Sequence, residues 1–213
     1  MKLATLILTF LWWTMSYGQD SEEQSVRASF NSYKSAILND RGEEAINFVD
    51  SRTIKYYDDV LESAKTADSA QVESLSVWDK LMVLLIRHRT SKDDILSFDG
   101  RSVLVYAIEN GMVGKNSVID NSIGEVAIDG TFAKGRLVSK GQNTPLDLHF
   151  YKEDSRWKID LTFLFKISTI ALKNMIEESG QSENEFFFSL LEIATGKKPN
   201  AQIWQPIREI EEQ

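Results

Sequence analysis

From Asn121 to Phe165 the chain reads NSIGEVAIDGTFAKGRLVSKGQNTPLDLHFYKEDSRWKIDLTFLF, and here the apolar residues change from helical spacing to alternation. A strand is expected over 123–128, closed by Asp129-Gly130, the strongest hairpin signal in the chain, and followed by a strand over 131–139. Lys140-Gly141-Gln142-Asn143 turns the chain into a strand over 145–152. Glu153-Asp154-Ser155 turns it again into a strand over 156–163. Three successive hairpins predict a four-stranded antiparallel meander over 121–165.

Alternation sorts the side chains, because neighbours on a strand point to opposite faces. Leu146, Leu148 and Phe150 share a face, as do Trp157, Ile159, Leu161 and Phe163. Asp147, His149 and Tyr151, with Lys158, Asp160 and Thr162, occupy the other. The apolar face must be covered, since each large apolar side chain left in water forfeits about 1.5–3 kcal/mol.

Helical spacing on both sides supplies the cover. Val26, Phe30, Tyr33 and Ile37 predict an amphipathic helix over 23–38, ended by Asn39-Asp40-Arg41-Gly42. A short helix carries Ala45 and Phe48. A third, capped by Asp50 or Ser51, carries Ile54, Tyr57, Leu61 and Ala64. A core helix over 71–89 follows, with Val72, Leu75, Trp78, Leu81, Met82 and Leu85 on one face and the run 81–86 buried on more than one side. Ser91 caps a brief turn, and Val103, Leu104, Ala107 and Ile108 form a helix closed by Gly111. After the sheet, Ile167, Ile170, Ala171 and Met175 recur on one side of a helix that stops at Ser179-Gly180. The capping box Ser182…Glu185 opens another, ended by Gly196. A docked tail with Trp204 and Pro206 follows, and Arg208 to Gln213 fray.

Composition narrows the function classes. The 213-residue chain has no cysteine and a formal net charge of -8, so disulfide staples are excluded and phosphate backbones are repelled. Arg87-His88-Arg89 and Lys197-Lys198 read as helix-end charges, which leaves no nucleic-acid surface. Lys2, the apolar run from Leu3 to Trp13 and Ser16-Tyr17-Gly18 read as a signal peptide over residues 1–18, cleaved before Gln19. The expectation is a periplasmic or extracellular protein with no membrane segment after cleavage. Residues 19–213 are expected to form one domain, divided into a helical part (23–111), a sheet (121–165) and C-terminal helices with a tail (166–213).

Early amphipathic helix, break at Asn39-Asp40, a second helical segment with Tyr56-Tyr57 and the tryptophan-led strand Arg156-Trp157-Lys158-Ile159-Asp160-Leu161 together resemble the nuclear transport factor 2-like superfamily. That group of cone-shaped α+β domains includes the ketosteroid isomerase and polyketide cyclase types. The resemblance covers about Glu23 to Phe165. It implies N-terminal helices packed on a strongly curved four-stranded meander; the chain departs from a minimal member in its long helical stretch from Ala70 to Asn110 and in two extra C-terminal helices with a tail. The scaffold hosts enzymes, transport adaptors and ligand binders, so the resemblance leaves function open.

A pocket inside such a cone would be walled by Phe150, Trp157, Ile159 and Phe163 from the sheet and by Tyr33, Tyr57 and Trp78 from helices; a filled core is the other reading. An enzyme of the isomerase or cyclase kind needs a titratable group there, and the candidates are His149, Asp147, Tyr151 and Asp160, with His149 or an aspartate as the base. Alternation puts all four opposite Trp157 and Ile159, facing solvent or a homodimer partner, unless a bulge between Pro145 and Tyr151 swaps the faces. Two histidines without cysteine do not make up a zinc site of familiar composition, and no cofactor motif is present; the segment 111–117 lacks the glycine spacing of a phosphate loop. The leading expectation is a non-enzymatic domain binding a small apolar ligand or a protein partner through the cone and appended helices. The alternatives are a cofactor-free isomerase- or cyclase-like enzyme and a structural dimerisation module.

Overall fold

A computed structural model of the chain describes residues 4–208, with side chains from residue 20 onward. The side chains of the leader expected over residues 1–18 lie outside the described residues, as does the chain after Arg208, where fraying is expected. In chain order the elements are α1 (Ala4–Leu38), α2 (Gly42–Ala45) with a 3-10 turn (Ile46–Phe48), α3 (Ser51–Thr66), α4 (Ser69–Ser74), α5 (Val77–Arg89), α6 (Lys92–Ser97) and α7 (Gly100–Glu109). Then come β1 (Asn121–Asp129), β2 (Phe132–Ser139), β3 (Gln142–Glu153) and β4 (Arg156–Asp160), followed by α8 (Thr162–Ser179), α9 (Glu183–Thr195) and a 3-10 turn (Ala201–Trp204). The fold is α+β, with an open antiparallel sheet of order β1-β2-β3-β4.

The elements divide into two compact units, one formed by the chain up to Asp50 with Ala107–Leu161, the other by Ser51–Tyr106 with the chain from Thr162 on. The first unit is the sheet with α1 packed on β1 and β4. Its hairpins turn where the sequence indicates: Gly130, Gly141, Lys140, Asp154 and Ser155 all have positive φ, the geometry that matches strand twist in tight turns. Val26, Phe30, Tyr33 and Ile37 are buried on α1 as their spacing predicts, and Leu148, Phe150, Trp157 and Ile159 are buried on the sheet. The register from Phe132↔Tyr151 to Arg136↔Asp147 is unbroken, and the irregularity in this pair falls beyond it, between Arg136 and Val138. The faces therefore keep their expected assignment through residues 147–151. Gly135 is required there, since an added Cβ would approach Ile123 Cγ2 to 2.6 Å and Phe150 Cε2 to 3.1 Å.

Two details of the sheet differ from expectation. β4 ends at Asp160, and Phe163 lies in α8 rather than on the strand. The run Leu161–Phe165 satisfies both periods, so alternation could not mark where the ladder stops. Asp160 is 6% exposed, and is thus a buried residue rather than one of a solvated face.

The second unit is helical, and its core joins α3, α5, α8 and α9 through Leu61, Ala64, Leu84, Leu172, Phe187 and Leu191. The expected helix over 71–89 is two helices. Ser76 accepts from Asp79 N at 3.2 Å and restarts the chain as α5, while Asp68 and Gln71 form a capping box for α4. Val83, Leu84 and Ile86 are buried, consistent with a helix covered on several sides. The Ser182–Glu185 capping box and the left-handed Gly196 bound α9. The tail is held by Ile207 N and Arg208 N, both donating to Lys65 O. On α8 the buried residue is Leu172; Ile167, Ile170 and Met175 are exposed at 41%, 63% and 49%.

Three cations are buried among the described residues of this unit, and Lys65 donates to Phe98 O at 2.7 Å. Arg87 donates to the carbonyls of Ser63, Ala64, Ala67 and Ile203 at 2.6–3.1 Å, which closes the end of α3 and fixes the tail. Lys80 pairs with Glu73 and Glu183, each at 2.7 Å. Burial by itself would lower the Lys80 pKa, but the hydrogen bonds and charges of Glu183 and Glu73 outweigh it and hold the ammonium above its ordinary value.

Candidate functional site

Two strands of the sheet unit, β3 and β4, carry the expected acid–base residues, and β2 supplies their cross-strand neighbours. His149 on β3 has Lys134 of β2 and Asp160 of β4 as its cross-strand partners, so the three form one row. The next row pairs Arg136 with Asp147, whose Nε–Oδ1 distance is 2.8 Å. On the other side Phe132 and Tyr151 flank His149, with the Phe132 ring edge-on to the imidazole at 5.2 Å and tilted against Tyr151 at 5.0 Å. Burial holds the His149 pKa below its ordinary 6.5, and the Lys134 charge lowers it further, against the opposing pull of Asp160 and Asp147. The imidazole is therefore neutral at pH 7, able to accept a proton beside a buried carboxylate. Asp147 is committed to Arg136.

The expected pocket residues divide between the units. Tyr33, Phe150, Trp157 and Ile159 belong to the first and Tyr57, Trp78 and Phe163 to the second. The four in the sheet unit are exposed by 6% or less. In the helical unit Tyr57 and Trp78 meet at Phe165, with ring centroids 6.3 and 5.6 Å away, and Tyr56 joins them at 4.5 Å while donating to Asp79 Oδ1 at 2.7 Å. Burial pushes the Tyr57 hydroxyl up to about 12. Such groups stay neutral at physiological pH and pack as amphipathic wedges.

Trp157 does border an open groove of about 310 Å³ in the sheet unit, walled by Ser25, Ser29 and Ser32 of α1 and by Lys152 and Arg156 of the β3–β4 hairpin. Its floor is a bonded network. Glu22 accepts from Trp157 Nε1 at 2.7 Å and from Lys152 Nζ at 2.6 Å, and Ser29 donates to Trp157 O at 2.6 Å. These hydrogen bonds, Lys152 first and Trp157 second, hold the Glu22 carboxyl below its ordinary value. The Arg156 side chain is exposed and holds no hydrogen bond or ion pair among the described residues. Glu22 was not a sequence candidate, although it precedes Val26 by one helical turn and so shares its sheet-facing stripe.

A second groove, of about 600 Å³, belongs to the helical unit and is lined by Asn184, Phe188, Glu192, Lys198 and Trp204. The Phe188 and Trp204 rings are nearly parallel, 12° apart at 6.3 Å. Among the described residues no group of three or more His, Cys, Asp or Glu side chains could hold a metal ion, and no helix is long and apolar enough to cross a membrane.

Comparison with family models, with curated proteins and with solved structures finds no match for this chain.

Proposed function

We propose that the chain is an exported, non-enzymatic binding protein built on a sheet unit of the nuclear transport factor 2-like kind, and that it takes a small anionic ligand in the Ser25–Arg156 groove. One observation carries this reading. The groove combines the exposed hydroxyls of Ser32 and Ser155 with a free guanidinium, Arg156, while Ser25 and Ser29 donate to the carbonyls of Ser21 and Trp157 and the second cation, Lys152, is neutralised by Glu22. An exposed planar cation beside hydroxyl donors suits a carboxylate or phosphate group. The apolar-ligand reading has less support in the sheet unit, where Tyr33, Phe150, Trp157 and Ile159 are packed as core. Export rests on the leader pattern of residues 1–18 and is tested by N-terminal sequencing of the protein recovered from its host, which should begin at Gln19.

Calorimetric titration with inorganic phosphate, succinate and citrate tests the ligand class. At least one should bind, and Arg156→Glu should weaken it about ten-fold or more, the loss expected when a charge-assisted contact becomes repulsive. Silence from all three, or affinity indifferent to Arg156, removes the reading.

A second reading, a cofactor-free isomerase-like enzyme, rests on the Lys134–His149–Asp160 row, which gives a neutral imidazole a carboxylate neighbour. It requires that enolisable carbonyl compounds exchange their α-protons on the protein and that His149→Ala stops the exchange.

A further inference from the structure

We infer that the outward face of α8 pairs with the same face of a second copy of this chain, the two helices running antiparallel. The helix buries Leu172 and partly buries Phe165 and Ile176, and on its outer side it leaves Ile167, Ile170 and Met175 in solvent. Those three are the exposed apolar residues of one helix, with Ile170 63% exposed. A stripe of this kind is stabilised by cover, and the charges beside it say which cover fits.

Lys166 and Lys173 lie in the first two thirds of α8, and Glu177 and Glu178 lie in its last turn. All four are exposed and hold no ion pair among the described residues. This order opposes the helix dipole, which favours anions at the N-terminus and cations at the C-terminus. Carboxylates in the last turn weaken a lone helix. Beside an antiparallel neighbour the same order becomes favourable, because each acidic end then meets the partner's basic and dipole-positive end.

The register follows from the spacing. A two-fold axis at Ala171 sets Ile167 of one copy level with Met175 of the other, since each stands four residues from the axis. Lys166 then falls within one residue of the level of Glu177 across the pair, on the same flank of the stripe, as flanking charges do in antiparallel coiled coils. A parallel pair would set Lys166 against Lys166 and Glu177 against Glu177. The polar face of the sheet is a poorer self-association surface, because four of its charges are matched within the chain, Arg136 to Asp147 and Lys158 to Glu153, and Lys134 lies over the Phe132 ring.

The test is sedimentation velocity of the full chain from about 1 to about 100 µM, the range a small interface demands. The chain should shift from monomer to dimer. Ile170→Asp should raise the dissociation constant about ten-fold or more. Lys166→Glu should weaken the dimer, and the double variant Lys166→Glu/Glu177→Lys should restore it, because the exchanged charges again oppose across an antiparallel pair. Far-UV circular dichroism checks that each variant keeps its helix content. A wild-type chain that stays monomeric throughout, a dimer indifferent to Ile170→Asp, or a double variant weaker than Lys166→Glu alone would each overturn the inference.

Discussion

The indole nitrogen of Trp157 donates to the Glu22 carboxylate at 2.7 Å, across 135 positions of sequence. The same carboxylate holds Lys152 Nζ at 2.6 Å, so one residue of α1 ties together both strands of the β3–β4 hairpin. The hairpin contributes Phe150 and Ile159 to the core and Arg156 to the groove.

Glu22→Gln keeps an acceptor for Trp157 and loses the ion pair with Lys152, whereas Glu22→Ala loses both. Because the pair is half exposed, the first should cost about 0.5 kcal/mol and the second about 1–2 kcal/mol in urea denaturation at neutral pH. The folded carboxyl titrates below its ordinary 4.5, so its contribution is complete above that pH and is lost as pH falls through the folded value. The wild-type advantage over Glu22→Gln should therefore vanish in acid.

His149 gives a pH dependence of the same sign at a higher pH. Its folded pKa is below 6.5, so on acidification the unfolded chain takes up a proton before the folded chain does. Stability should fall as pH drops below about 6.5 and stop falling on this account once the folded imidazole is also protonated. His149→Gln should flatten that slope when urea midpoints are compared at about pH 7.5 and about pH 5.5. A slope unchanged in the variant would assign it to other groups.

Gly100 opens α7 against α3, its N–H bonded to Asp58 Oδ1, and an added Cβ would run into Ile54 O and Asp58 N. Both obstacles are backbone and cannot rotate away. Gly100→Ala should cost about 2–3 kcal/mol by thermal or chemical denaturation. Gly114→Ala, with open space at its Cβ and no positive φ, should leave stability within about 0.5 kcal/mol.

Arg87→Lys and Arg87→Met both strand carbonyls that the guanidinium satisfies. Burial lowers the Arg87 pKa to about 10, which still leaves it charged at pH 7. A lysine cannot reproduce the planar fork that reaches four carbonyls, so each variant should lose about 2–4 kcal/mol. Loss of the bond to Ile203 O should also make the tail around Trp204 more sensitive to limited proteolysis.

The residues that were legible act locally. Asp129-Gly130, Ser91, Ser182–Glu185 and Gly196 each set the backbone within a few positions of themselves, and each turn or cap stands where it was read. Ser76 acts equally locally, yet the continuous apolar pattern around it concealed the break between α4 and α5. The candidate site was only half legible. His149 and Asp147 fall on the face their alternation requires, but Asp160 on that face is buried and Glu22 and Arg156 were not singled out.

The sequence by itself determined the α+β class, the four strands with their hairpins and the sharing of faces along β3 and β4, because periods of 2 and 3.6 are written in consecutive residues. Tertiary structure alone decided where β4 gives way to α8, that Asp160 is buried and that the Ile167–Met175 side of α8 faces solvent. It also decided that Glu22 meets Trp157 and that Arg87 meets Ile203. Periodicity says which side chains point together; what covers them depends on residues more than a hundred positions away, and only folding brings those into contact.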